Sequence, residues 1–166
     1  GVFADANVAA GKTVTITSSY GGTDVNNYTI TDQTSTTADI TAKALTATAS
    51  ASNKTYDASD TATTTITLSG FIGTETVTST NSSTFNDKNV GTDKTVTVNS
   101  ITLADGTNGG LAANYSISPG QTTTADVTAK ALTVSGITAS NKTYDANAVA
   151  TLDATSVAYT GKINGD

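Results

Sequence analysis

The hexapeptide NKTYDA stands at 53–58 and again, letter for letter, at 141–146. An active site needs its motif once, whereas a building block needs it once per block, so a chain of 166 residues that spells one turn twice is read first as a repeat. Other pairs agree on the interval. TTADITAKALT at 36–46 returns as TTADVTAKALT at 123–133, and NYTI at 27–30 returns as NYSI at 114–117, both 87 residues on. FADANVAAGKTVTI at 3–16 matches FNDKNVGTDKTVTV at 85–98 at an offset of 82, and the longer loop LADGTNGGLAANY absorbs the five-residue difference.

A period of about 87 residues is the size of a small domain, not of a solenoid coil. The chain therefore divides into the C-terminal half of a repeat at 1–40, a complete repeat at 41–127, and the N-terminal half of the next at 128–166. GKINGD at 161–166 aligns with GFIGTE at 70–75, and GVF at 1–3 with STF at 83–85, so the two flanking pieces together amount to nearly one whole repeat.

The repeat reads as all-β. Thr, Val, Ile and Tyr favour strands, and helix formers are scarce, with Glu75 the only glutamate. Strand signals fall at KALTATAS (43–50), ATTTITLSG (62–70), ETVTSTN (75–81), KTVTVNSITL (94–103), NYSIS (114–118) and TADVTAKALTV (124–134). In KTVTVNSITL, Val96 and Val98 alternate with Thr95 and Thr97, the period of a sheet with one wet face. Gly, Asn and Asp dominate the connections. TADVTAKALT carries no turn residue and is expected to run as an extended connector between repeats. The expected architecture is an elongated array of small β-sandwich units, immunoglobulin-like or a smaller grasp-like sheet, since periodicity does not encode strand order.

Composition excludes several functions. A net charge of −6 and eight scattered lysines oppose nucleic-acid binding. No apolar run approaches the roughly 20 residues of a membrane span, so membrane insertion is not expected. The opening GVFADANV has no signal-peptide pattern, which places any secretion signal outside this stretch. There is no Cys, so no disulfide framework, and neither Cys nor His to hold zinc.

Together the NKTYD turn, the FNDKNVG stretch with its TVTV strand, the ANYSI element and the ADVTAKALTV boundary resemble the YDG-type repeats of large bacterial surface proteins, which are similar to MBG repeats and often follow haemagglutinin-like secretion domains. The resemblance covers essentially the whole chain. It implies an extracellular, cell-surface, tandemly repeated adhesin stalk of the kind found in biofilms, with no catalytic role and no cofactor. One position departs from the pattern: where the family usually has Gly after Tyr-Asp, both copies have Ala, Ala58 and Ala146. Because a left-handed backbone costs Ala about 1 kcal/mol, the turn is expected to keep an ordinary negative φ.

The candidate site residues are those of the repeated turn: Asn53, Tyr56 and Asp57, and Asn141, Tyr144 and Asp145. As catalytic carboxylates Asp57 and Asp145 have no His, Cys or second glutamate nearby in sequence to share proton work. The structural reading is preferred: each Asp accepts backbone N–H bonds in a turn, while each Tyr packs its ring at a core edge and ties its hydroxyl to backbone. Asp105 and Asn108 in LADGTNGG offer oxygens to calcium, but their spacing fits no EF-hand loop and a turn role is preferred. Thr arrays such as TVTIT (13–17) and TTTIT (63–67) resemble ice-binding ladders, yet recur once per long unit and read as wet sheet faces. Asn-x-Ser/Thr sequences at Asn27, Asn53, Asn81, Asn114 and Asn141 arise readily by chance in so Asn- and Thr-rich a chain.

Three functions follow as expectations. The first is a spacer whose partners are neighbouring repeats or copies of itself, with surface glycans or matrix beyond. The second is a filament subunit joined head-to-tail through the two half-repeats. The third is a carbohydrate-binding module, for which the sequence offers no cluster of aromatic platforms.

Overall fold

The computed structural model describes residues 1–165. In chain order the strands are β1 (Val2–Phe3), β2 (Ala9–Thr15), β3 (Ser35–Ile40), β4 (Lys43–Ala44), β5 (Thr46–Ala51), β6 (Lys54–Thr55), β7 (Thr61–Ala62) and β8 (Thr64–Ser69). They continue as β9 (Val77–Phe85), β10 (Gly91–Asp105), β11 (Tyr115–Ser116), β12 (Thr122–Thr128), β13 (Thr133–Ser135), β14 (Thr138–Ala139), β15 (Leu152–Asp153) and β16 (Ala158–Thr160). Two single 3₁₀ turns, Val25–Asn27 and Ala112–Asn114, are the only helical segments among the described residues. The fold is all-β, built from several sheets, and consistent with a β-sandwich.

Two compact units divide the chain. The first draws on Gly1–Ala49, Ile66–Asn81 and Ser100–Gln121, the second on Ser50–Thr65, Ser82–Asn99 and the chain from Thr122 onward. Each of the long strands β9 and β10 contributes to both.

The first unit holds the antiparallel sheet β1-β2-β3 and the parallel pair β11-β4, in which Tyr115 lies opposite Lys43 and Ser116 opposite Ala44. Its core is Leu45, Val77 and Tyr115, with Leu68, Phe71, Leu103 and Ile117 packed on them. Phe71 meets Tyr115 edge-to-face at 5.8 Å between ring centres, the geometry the ring quadrupoles favour. The LADGTNGG loop closes over Thr76. A Cβ at Gly110 would lie 1.9 Å from the Thr76 carbonyl oxygen and one at Gly106 2.1 Å, so only glycine permits this approach.

The second unit holds the five-stranded sheet β6-β12-β10-β9-β7 and the small pairs β13-β16 and β14-β15. Ala62, Phe85, Val96, Ala125 and Val127 form its core, flanked by Ala51 and Tyr56. Fully burying each valine contributes about 1.5–3 kcal/mol. Val96 and Val98 are buried as their alternation predicts, and Thr95 between the strand's start and them faces solvent. Farther along β10 the inward positions become Ile101 and Leu103. The parity changes at the exposed pair Asn99–Ser100, a one-residue slip that exchanges the two faces of the strand.

Most expected strands are present with shifted ends. The Thr-rich β9 runs on to Phe85, past the expected end at 81, because Ser83 and Phe85 are both buried. The stretch 124–134, expected as one extended connector, is two strands with residues 129–132 outside any ladder.

Candidate functional site: the lysine-latched aspartate turns

Lys54, at the second position of the first hexapeptide, is the hub of its turn. Its ammonium donates to Asp57 Oδ1 at 2.8 Å, to the Ser59 carbonyl at 2.8 Å and to the Thr61 carbonyl at 3.1 Å. It also stands 5.6 Å from the Phe85 ring centre, a cation–π contact at the core edge. Asp57 Oδ1 in turn accepts the Ser59 backbone N–H at 2.9 Å, closing an Asx turn. The Lys54 hydrogen bond, then the Ser59 N–H, hold the Asp57 carboxyl well below the usual range, at about 2.

Between them Ala58 sits at φ 65°, and Ala146 in the second copy at 61°. The ordinary negative φ expected for both alanines is therefore wrong. The left-handed residue is what turns the next N–H back onto the aspartate, and the lysine and Asx bonds offset a cost of about 1–2 kcal/mol. Glycine, usual at this place in the resembled repeats, would adopt the same backbone without strain.

The second hexapeptide repeats the latch. Lys142 donates to Asp145 Oδ1 at 2.7 Å and to the Asn147 carbonyl at 2.9 Å, and the Asn147 N–H returns to Asp145 Oδ1 at 3.2 Å. Asp145 is likewise held below its ordinary value, first by Lys142. The surroundings differ. Asn53 Oδ1 accepts the Asp126 N–H at 2.7 Å, β6 pairs in parallel with β12, and the Tyr56 N–H bonds the Thr128 carbonyl at 2.8 Å, so Tyr56 packs on the second unit's core. Asn141 is exposed and Tyr144 is 91% exposed. The expected packing of Tyr144 at a core edge is not seen among the described residues, where its ring joins neither core.

Two more latches escaped the sequence reading. Asp5 is paired with Lys12, and Asp87 with Lys94 at 2.5 Å; in each case the aspartate Oδ1 also accepts the N–H two residues on, from Asn7 and Asn89, at 2.7 Å. Both carboxyls are lowered, with the lysine hydrogen bond as first cause. The signal was present: Asp, Asn and Lys hold the same places in FADANVAAGK and FNDKNVGTDK. A matching bulge follows each, where Asp39 Oδ1 accepts the Gly11 N–H and Asp126 Oδ1 accepts the Asp93 N–H, both at 2.8 Å. The turn geometry of these motifs thus recurs in both of their copies.

The remaining candidates lie apart from these turns. Asp105 Oδ1 accepts the Ala112 N–H at 2.7 Å, and Asn108, at φ 55°, donates its Nδ2 to the Thr74 carbonyl at 2.9 Å. Tyr115 donates to Glu75 Oε2 at 2.6 Å and accepts the Ile72 N–H at 3.1 Å, and the glutamate raises its phenol above the ordinary value. Among the described residues no group of three or more acidic side chains could hold a metal ion. Four of the eight lysines are committed to turn aspartates three or seven residues away in sequence, an arrangement that neutralises charge and fixes backbone.

No curated protein and no solved structure matches the chain. A family model described as the YDG domain matches residues 41–125, the stretch that contains the first hexapeptide, the first unit's core and all of the second unit's core except Val127. With half of its length matched, the chain belongs to the YDG domain family.

Proposed function

We propose that this chain is a stalk segment of a secreted bacterial surface adhesin or exoprotein, a non-catalytic spacer built from tandem repeats with the boundaries 1–40, 41–127 and 128–166. The observation that carries this reading is the recurrence of the same latch, with the same left-handed alanine, 88 residues apart. A device that braces a turn through local bonds suits a module repeated for length. Neighbouring repeats are its first partners, since in repeat arrays interface terms add to the stability of each unit. Extracellular placement at the cell surface, with glycans or matrix beyond, belongs to the same proposal.

Pulling a tandem chain of several copies of residues 41–127 in a force spectrometer tests it. The expected trace has evenly spaced unfolding steps, each lengthening the chain by roughly 30 nm for about 87 residues at about 3.5 Å each. Irregular steps, or extension without resistance, would overturn the spacer reading.

A further inference from the structure

We infer that Asn114 is the dock by which a repeat grips the one before it: its side-chain amide takes the Asn7–Val8 corner of the preceding repeat and holds the two in one orientation. The inference rests on the repeat reading above and adds the residues that make the junction.

On the boundaries proposed above, Asn7 and Val8 belong to 1–40 and Asn114 to 41–127, and all three lie in the first compact unit. The Val8 N–H donates to Asn114 Oδ1 at 2.9 Å, and Asn114 Nδ2 donates to Asn7 Oδ1 at 3.0 Å. A backbone N–H only donates, which fixes Oδ1 toward Val8 and leaves the amide's donor for Asn7. An ionised aspartate, with acceptors alone, would make one of these bonds, and an alanine neither.

Both sides are held before they meet. In the preceding repeat the Asp5 latch sets the corner: Asp5 Oδ1 accepts the Asn7 N–H at 2.7 Å, and Lys12 donates to the Asn7 carbonyl at 2.9 Å. In the following one, the Asn114 N–H closes its 3₁₀ turn on the Leu111 carbonyl at 3.0 Å, Asp105 braces the same turn through Ala112, and Tyr115 beside it is buried. Partners ordered in advance lose little freedom on joining. The covalent link is short as well, since only Thr41 and Ala42 stand outside a ladder between β3 and β4. A chain that crosses at one point still swivels about that point, and a second attachment removes the swivel. Asn114, 106 residues from Val8, supplies the second attachment.

Each copy of the repeat carries both halves of the contact. FADANV returns as FNDKNV, so Asn7 and Val8 answer to Asn89 and Val90, and NYTI returns as NYSI, so Asn27 answers to Asn114. The latch returns with them: Asp87 Oδ1 accepts the Asn89 N–H at 2.7 Å and is bonded by Lys94. In a tandem array Asn89 and Val90 are thus the corner for the next repeat, and Asn27 is the dock for the preceding one. The Asp5 and Asp87 latches gain a task that the Asp57 and Asp145 latches do not share.

Amide exchange and residual dipolar couplings on the full 166-residue chain test this. The Val8 amide should be protected in the native chain. Asn114→Ala should speed its exchange by about tenfold, the effect of losing one hydrogen bond, while the Leu45 amide, bonded to the Ser116 carbonyl inside 41–127, keeps its rate. Lys12→Met, which leaves Asn114 untouched, should also speed Val8 by loosening the corner, whereas Lys94→Met, the same change in the other copy, should not. Couplings from the β1-β2-β3 sheet and from Ile66–Asn81 with Ser100–Gln121 should fit one alignment in the native chain and two in Asn114→Ala. A freely exchanging Val8 in the native chain overturns the inference, and so does a single alignment that survives Asn114→Ala. Equal acceleration at Val8 and Leu45 overturns it too, since Asn114 would then serve only the fold of its own repeat. Asn7→Ala changes nothing in 41–127 and removes one of the two bonds, so it should speed Val8 by a smaller factor, and an unchanged rate there counts against the dock. None of these failures touches the evenly spaced unfolding steps on which the spacer reading stands.

Discussion

Tyr56 and Tyr144 sit in the same six letters and have opposite fates. Both hexapeptides form the lysine latch, the Asx turn and the left-handed alanine, yet one tyrosine packs on a core and the other is 91% exposed. What six residues decide is the turn; what they cannot decide is burial, which needs a partner strand such as β12 beside them. The same split separates Phe85, 3% exposed, from its sequence counterpart Phe3 on the hollow beside Ile40. Local bonds are satisfied within a turn, whereas apolar area is removed from water only by residues distant in sequence.

Core truncation should widen that contrast most. Phe85→Ala should cost about 3–5 kcal/mol in chemical denaturation followed by circular dichroism, because the ring fills the second unit's core and its loss leaves a cavity. Phe3→Ala, which removes a ring already facing solvent on one side, should cost about 1 kcal/mol. Equal losses would mean that the two regions share a core, and the comparison would collapse.

Next come the tyrosines themselves. Tyr56→Ala should cost about 2 kcal/mol through lost packing on Val127 and Phe85. Tyr144→Ala should stay within about 0.5 kcal/mol, as an exposed substitution does. A large effect at Tyr144 in dilute solution would show a contact that the single chain lacks.

A smaller effect of opposite sign is expected at the alanines. Ala58→Gly should stabilise the chain by about 1 kcal/mol, since glycine takes φ 65° without strain and gives back only part of the gain as unfolded-chain entropy. Ala146→Gly should slow amide exchange at Asn147 by a similar factor. A loss of stability at either would indicate that the Cβ makes a contact worth more than the strain.

These cases also show what could be read in advance and what could not. The alternation of Val96 and Val98 was legible because side-chain period in a strand is a local rule. The slip of parity at Asn99–Ser100 was not, since two polar residues in a Thr-rich strand carry no signal of which face is covered. Lys54 and Lys142 stood in the quoted hexapeptide, but an ammonium reaching a backbone carbonyl leaves no compositional trace. The left-handed alanine was misjudged by weighing its intrinsic cost without the lysine and Asx bonds that offset it. The short strands β6 and β7 went unread because two residues are too few to alternate.

The latches give the finest test, because they are the part that the two regions share. Asp57 is held at about 2 in the folded chain, against an unfolded value near 3.9. A depressed carboxyl contributes stability that is fully present above the unfolded value and is lost as pH falls through the folded one. The thermal midpoint should therefore be level from neutral pH to about 5 and decline between about 4 and 2. Asp5, Asp87 and Asp145 are lowered in the same direction and should add to the decline. Carboxyl carbon shifts resolve the sites one by one. Lys54→Met should move the Asp57 midpoint up toward the ordinary value, and Lys142→Met should do the same for Asp145, while Tyr144→Ala should move neither. Both aspartates are exposed, so added salt should shrink the shifts. If Asp145 titrated normally while Asp57 stayed low, the turn would owe its geometry to the packed core beside Tyr56, and burial would prove to be the cause of the latch instead of its companion.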